Sequence, residues 1–493
     1  MLTVGVAAVV MASVHAQERL VEVPPWQAFI VAGGSDKDAS EAALTEIANG
    51  WRDAYAALIV DVARFLPSPR GPRASEDQSF FEFDDTTGEP GGTGQASRGS
   101  DFPTAVRQPP GAEVRRRLTS FLERHTGQRF GDDLRAWRRW YWALPWTPHP
   151  DFFAFKAELY SRIDPRYRVF FRNGITATIR LDEIDWGGVP INGIPPLRYP
   201  KHEAAADARW LRDNHVVFGV EVNGEARAYP KRILAWHELA TDTLGGVDLT
   251  IVYCTLCGTV IPYDSTVDGR TLTFRTSGLL YRSNKLMFDE ETASLWSSLE
   301  GVPVVGPLVG NDLRLSFHSV VTTTWREWKS QYPKTTVLSI DTGHDRNYGE
   351  GAAYRDYFRT DRLMFEVPAA DSRLKNKDEV LVLRREVLGG SARPVAIAVN
   401  RLERESVFAF EAAGRPLVVI TSKGGANRVY ERGMHTFSRL DRDGTVRDSV
   451  GGRWTAGNDA LISATGERLA AVPAHRAFWF GWVAQHPDTE LLR

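Results

Sequence analysis

The chain has 493 residues, of which 25% are charged and 43% hydrophobic, and its formal net charge is −2. This is ordinary globular composition with room for roughly two to four domains. The near-neutral balance leaves no electrostatic footprint for nucleic acid, and points to no acidic substrate. Fifteen tryptophans predict aromatic-rich packing, and only two cysteines are present.

Leu2 to Val14 are apolar and small, and Val14 and Ala16 fit the small positions before a cleavage point. Residues 1–16 therefore read as a secretory signal peptide cut before Gln17, although a positive n-region is missing. No other stretch approaches the roughly 18 apolar residues that span a bilayer. The expectation is a periplasmic or secreted protein. In such an oxidising compartment a lone cysteine pair closes to a disulfide unless a metal holds it.

Residues 17–66 form an N-terminal helical segment. Within it Leu44, Ile47, Trp51, Tyr55, Leu58, Val62 and Phe65 recur at helical spacing, which predicts one amphipathic helix over 40–66. Asp38 and Glu41 suit a capping box, and Pro67 ends the pattern. Residues 67–112, rich in Gly, Pro, Ser, Asp and Thr, read as a disordered linker. A second helical segment, 113–165, carries Val114, Leu118, Phe121 and Leu122 on one face. Asp132 or Asp133 N-caps the run Leu134, Trp137, Tyr141 and Leu144. It reads as a helical layer on the main domain, with a protein-docking module as the alternative. Arg115–Arg117 and Arg138–Arg139 read as solvated helix faces.

A first β-rich unit follows at 166–345. Asn223-Gly224 between two extended runs predicts a hairpin, and Pro230 opens a helix expected over Ile233 to Thr243, closed by Gly245-Gly246. The apolar run Leu249, Ile251, Val252 then leads into Tyr253-Cys254-Thr255-Leu256-Cys257-Gly258-Thr259. After a connector at 346–377 comes a second unit, 378–493. Trp325, Trp328, Pro333 and Thr335 recur as Trp479, Trp482, Pro487 and Thr489, each 154 positions later. Two copies of one β-rich unit, roughly 200–340 and 378–493, are expected. In the second, Leu417–Ile420 and Thr421-Ser422-Lys423-Gly424-Gly425 take the place of the cysteine segment without a thiol. Cysteine is therefore not needed to build the unit, which marks Cys254 and Cys257 as a site.

Several segments together resemble the bacterial domain-of-unknown-function family 3179: the cysteine segment, Gly224–Pro230, Trp236-His237-Glu238, Ser277–Tyr281 and Ser294-Leu295-Trp296. The resemblance runs from about 165 to the C-terminus. The family usually has Pro after the first Cys, where this chain has Thr255. It implies a domain and singles out Cys254, Cys257 and His237, but names no reaction.

A Cys-x-x-Cys-Gly turn between strands suits Cu(I) or Zn(II). His237 is the leading third ligand, Met287 a soft alternative for copper, and His318 and His344 weaker ones. Tyr281 is expected nearby. Thiol–disulfide exchange is the alternative function, opposed by strand composition after Cys257 where an activating helix would begin. A non-catalytic binding or scaffold protein is the third reading. A bare staple over so short a loop stabilises little. Asp289-Glu290-Glu291 reads as a solvated turn, and Ser277 as a hydroxyl without a base. The expected architecture is α+β: two related β-rich units behind a helical N-terminal region, with a copper or zinc site on the first.

Overall fold

The computed structural model describes residues 22–66, 111–172 and 174–493, with the backbone alone at 83–84 and 89–90. Residues 1–16 and nearly all of 67–112 lie outside the described residues, so the signal-peptide and linker readings fall there. Gly111 and Ala112 already belong to a helix. The protein is α+β, with a helical N-terminal region followed by strands. No helix among the described residues is long and apolar enough to cross a membrane.

The helical layer comprises α1 (Trp26–Ala32), α2 (Lys37–Asn49), α3 (Ala56–Arg64), α4 (Gly111–Thr126), α5 (Leu134–Trp142) and α6 (Phe152–Ser161). The single helix expected over 40–66 is two. Gly50 is the C-cap of α2, and a side chain there would stand 2.2 Å from the Glu22 carbonyl and 2.7 Å from Pro24, so only glycine lets residues 22–24 pass this close. The cap of α2 is Asp36, which accepts from Ala39 N at 3.0 Å, rather than a box built on Asp38. Asp133 caps α5 as expected, accepting from Ala136 N at 2.9 Å.

Phe29, Leu58, Leu118, Trp137 and Tyr160 of this layer share one core with Ile184, Leu279, Leu286, Phe288 and Val305 of the first sheet region. A buried ionic cluster sits under the same contact. Asp185 lies 2.7 Å from both Arg64 and Arg138, and Asp61 3.2 Å from Lys156. Arg138 and Arg115 are therefore not solvated: they are 5% and 2% exposed. Their long stems pack into the core while the heads find acceptors there.

The β region begins with the predicted hairpin. Val216–Val222 pairs with Glu225–Pro230 around Asn223 and Gly224, both at positive φ. The helix that follows is only Lys231–His237. Glu238 turns left-handed at φ 56°, and Leu239–Leu244 becomes a strand buried beside Val247–Cys254. Gly245-Gly246 closes that hairpin rather than a helix. Phe274–Tyr281 pairs with Asn284–Asp289 and carries a bulge at Ser277-Gly278. Asp289 is fully buried, not a solvated turn residue, and accepts from the Trp296 indole at 2.8 Å.

Two sheets share one pattern. In one, Val320–Thr324 borders the 216–222 strand and Thr336–Leu338 runs parallel to 225–230. In the other, His475–Phe478 borders Glu379–Leu383 and Glu490–Leu492 runs parallel to Val395–Ala398. In each, a short helix links those two strands in the chain, Trp325–Gln331 in the first and Trp479–Val483 in the second, and the first sheet carries one strand more, His202–Ala204, beyond 336–338. An eight-stranded antiparallel sheet built from residues 407–472 completes the C-terminal unit.

Replacing Asp185 with Asn keeps the shape but takes the counter-charge from the buried Arg138 guanidinium and leaves the half-buried Arg64 with Asp61 alone. The expected loss is about 3–5 kcal/mol, read by urea unfolding; a change below 1 kcal/mol would mean the cluster is not a working contact.

Candidate thiol site

Val247–Cys254 and Thr259–Asp264 are antiparallel, with Cys254 opposite Thr259. The four residues between them make a tight turn in which Cys257 N donates to the Cys254 carbonyl at 3.2 Å. Gly258 takes φ 64°, and a side chain there would press on the Phe478 ring at 3.0 Å. Glycine is thus required twice over, by conformation and by contact. Both cysteines are free thiols, 3% and 0% exposed.

Three other elements close on this turn. The first is the tip of the 274–289 hairpin, where Arg282 and Ser283 are both left-handed. Cys257 Sγ donates to the Ser283 carbonyl at 3.0 Å, and the Lys285 backbone N–H donates to the Cys254 sulfur. The second is the 479–483 helix of the C-terminal unit. Phe478 N donates to the Cys257 carbonyl at 2.7 Å, and Asn284 Nδ2 holds the Gly481 carbonyl at 2.8 Å. The third is Glu238, held at the end of its short helix. Its carboxylate accepts from Thr255 Oγ1 at 3.0 Å and Tyr354 Oη at 2.8 Å, and lies 3.1 Å from the buried Lys285 ammonium. Leu256, Leu280, Tyr357, Phe478 and Phe480 supply the apolar cover.

The two thiols are not equivalent. Burial pushes Cys254 up, but the adjoining Cys257 side chain, whose one S–H is shared with the Ser283 carbonyl, and the backbone N–H groups of Lys285 and Cys257 outweigh it and hold it below the ordinary thiol value. Burial, and the Cys254 sulfur beside it, push Cys257 well above that value. Of the two, Cys254 ionises the more readily and Cys257 holds its proton the longer. Beside them lies a cavity of about 30 Å³ bounded by Glu238, Leu256, Lys285 and Tyr354. That is room for one water, and neither sulfur lines it.

The structure keeps Cys254 and Cys257 together but sends the other expected residues elsewhere. His237 is fully buried with both ring nitrogens engaged, Nδ1 at 2.9 Å from the Pro195 carbonyl and Nε2 at 2.6 Å from Tyr348 Oη. The His344 ring lies beside it, tilted by 50° with ring centroids 5.0 Å apart. Met287 packs with Leu239, Ile261, Trp296 and Trp482 in a different core cluster. Tyr281 belongs to the core shared with the helical layer, and His318 lies beside Pro262. The Ser277 hydroxyl donates to the Leu286 carbonyl within the bulge. Among the described residues, no group of three or more His, Cys, Asp or Glu is placed to hold a metal. The donor set at the turn is the two sulfurs, which fit a soft ion.

Sequence reasoning missed Glu238, Ser283, Lys285 and Gly481. Glu238 stood in view beside His237. The others carry no local signal of their own, because hairpin tip and distant helix meet the turn only in three dimensions.

The fold and site define a β-rich protein with a dithiol turn enclosed between two sheet-forming units. The chain belongs to the family described as protein of unknown function DUF3179, whose profile matches residues 191–489. No curated protein and no solved structure matches it.

Burial holds the His237 imidazole down at about 4. Its ordinary value is 6.5, so the unfolded chain takes up this proton first as pH falls. The stabilisation is complete above pH 6.5 and is lost toward pH 4, at a cost of about 3 kcal/mol. Urea midpoints measured across this window should fall, and fall less steeply in His237→Gln; equal slopes would contradict the assignment. His475, held at about 3 by burial and then by Arg384, adds a separate share in both proteins.

Proposed function

We propose that the protein binds one soft metal ion, Cu(I) in preference to zinc, between Cys254 and Cys257. The observation that carries this reading is the donor set. Two adjacent sulfurs share one turn, and backbone N–H groups are directed at Cys254, while the nearest candidate histidine has both nitrogens committed elsewhere. Two thiolates alone suffice for a soft monovalent ion, whereas tetrahedral zinc needs four donors. Export, read from residues 1–16, puts the pair in oxidising surroundings, where a bound ion keeps two thiolates from closing to a disulfide.

Thiol–disulfide exchange is the second reading, favoured by the inequality of the two thiols. It ranks lower because the sulfurs lie under Leu256, Tyr357 and Phe478, where a protein disulfide has no approach.

We infer further that the two β-rich units are copies of one another. Trp328 Nε1 donates to Thr335 Oγ1 at 2.9 Å and Trp482 Nε1 to Thr489 Oγ1 at 2.9 Å. Trp325 N donates to the His215 carbonyl at 2.8 Å and Trp479 N to Asp378 at 2.9 Å, in each case the residue just before a sheet strand. The Trp328–Tyr332 and Trp482–His486 rings sit 4.4 and 4.2 Å apart. The indole hydrogen bonds and ring pairs recur at the one offset of 154, and the backbone bonds match in kind though their acceptors stand 163 positions apart, which together support common descent.

Protein equilibrated with Cu(I) and desalted should carry about one copper per chain by elemental analysis. Cys254→Ser should lose it while unfolding with unchanged cooperativity, since the second unit builds its strand pair without cysteine. Copper retained in that variant, or cooperative unfolding lost, would overturn the reading.

A further inference from the structure

Two corresponding turns, one in each unit, are met by the other unit's helix. At the thiol turn the helix is Trp479–Val483, and its Gly481 lies so close that a Cβ would stand 3.0 Å from Cys257 Cβ and 3.3 Å from its Sγ. The cysteine-free turn of the C-terminal unit, Ser422–Gly425, faces the Trp325–Gln331 helix in the same way. There the assignment of side chains is reversed. The helix supplies Glu327, at the position 154 residues before Gly481, and the turn supplies Gly424. A Cβ on Gly424 would come within 2.4 Å of Glu327 Oε2. The Glu327 carboxylate fills that turn, accepting from Ser422 Oγ at 2.5 Å and Gly424 N at 2.6 Å. The space between turn and helix therefore holds one side chain, contributed from one side only.

We infer that Gly481 is a positioning residue of the thiol site, and that the site is complete only when the C-terminal unit contributes it. The inference rests on the two-copy and Cu(I) readings. With no side chain at 481, the volume that a carboxylate occupies in the second turn is left to the Cys257 thiol and its ion. The same contact explains how a chain can carry one working turn and one closed turn on similar frames. In the second, the helix brings its own anion to the backbone N–H; in the first, that role falls to the cysteine sulfur. Access to the thiols is thereby tied to the packing of the two units, since Phe478 and Gly481 cover Cys257 from the C-terminal side.

The test compares wild type, Gly481→Glu, Cys257→Gly and the double variant, all as full-length chains. Gly481→Glu alone should lower the thermal midpoint, because two side chains compete for one space. Cys257→Gly/Gly481→Glu, which moves the side chain from turn to helix as in the second turn, should melt above Gly481→Glu despite carrying one more substitution. A double variant that melts as low as the two single effects added together would overturn the shared-space inference. Gly481→Ala, the milder change, should retain Cu(I) at least tenfold more weakly than wild type in competition with a Cu(I) chelator. Equal retention would overturn Gly481's positioning role. A wild type that takes no Cu(I) would overturn the metal reading, while the melting comparison would still decide whether Cys257 and Gly481 share one space.

Discussion

The turn between Cys254 and Cys257 has no free face, and the surrounding structure is arranged to keep it so. Its strands lie in the first unit, its sulfurs touch a hairpin tip from that unit, and its backbone is held by a helix of the second. Close backbone approach is what this demands. Glycine stands at 258, where the chain is left-handed against a phenyl ring, and at 481, where a helix meets a thiol. Strain is accepted nearby too, since Glu238, Arg282 and Ser283 are all left-handed without being glycine.

Charge is buried around this centre and again beneath the helical layer. A lysine–glutamate pair beside two thiols costs desolvation that the Coulomb term alone does not repay. Additional hydrogen bonds from Thr255 and Tyr354 satisfy the Glu238 carboxylate and make the arrangement tenable. The Asp185 cluster works by the same logic, with two arginines sharing one carboxylate where helices meet sheet. Both clusters hold their elements in one geometry.

Much of the frame was legible in the chain. The Asn223-Gly224 hairpin, the α5 cap at Asp133 and the strand on either side of the cysteines follow from local chemistry. The helix breaks did not. Gly50 caps α2, a stop that hydrophobic periodicity alone runs through, and residues 22–24 pass against it, a contact of distant residues that periodicity cannot report. Residues 239–243 look helical after Pro230 but are drawn into a sheet between two other strands, where tertiary pairing overrides propensity. The cysteine pair was visible as a closed turn between two strands. Its neighbours were not, because Ser283, Lys285 and Gly481 reach it from 26, 28 and 224 positions beyond Cys257. His237 was drawn in by its motif, and its ring instead satisfies a carbonyl and a tyrosine within the core.

A site of two sulfurs and nothing else is the central claim, and ligand counting at the metal tests it most directly. X-ray absorption at the copper edge, on protein loaded with one equivalent of Cu(I), should report a sulfur-only shell of two scatterers. A shell containing nitrogen or oxygen, or one needing three or four ligands, would contradict the account and return His237 or an unrecognised donor to the site.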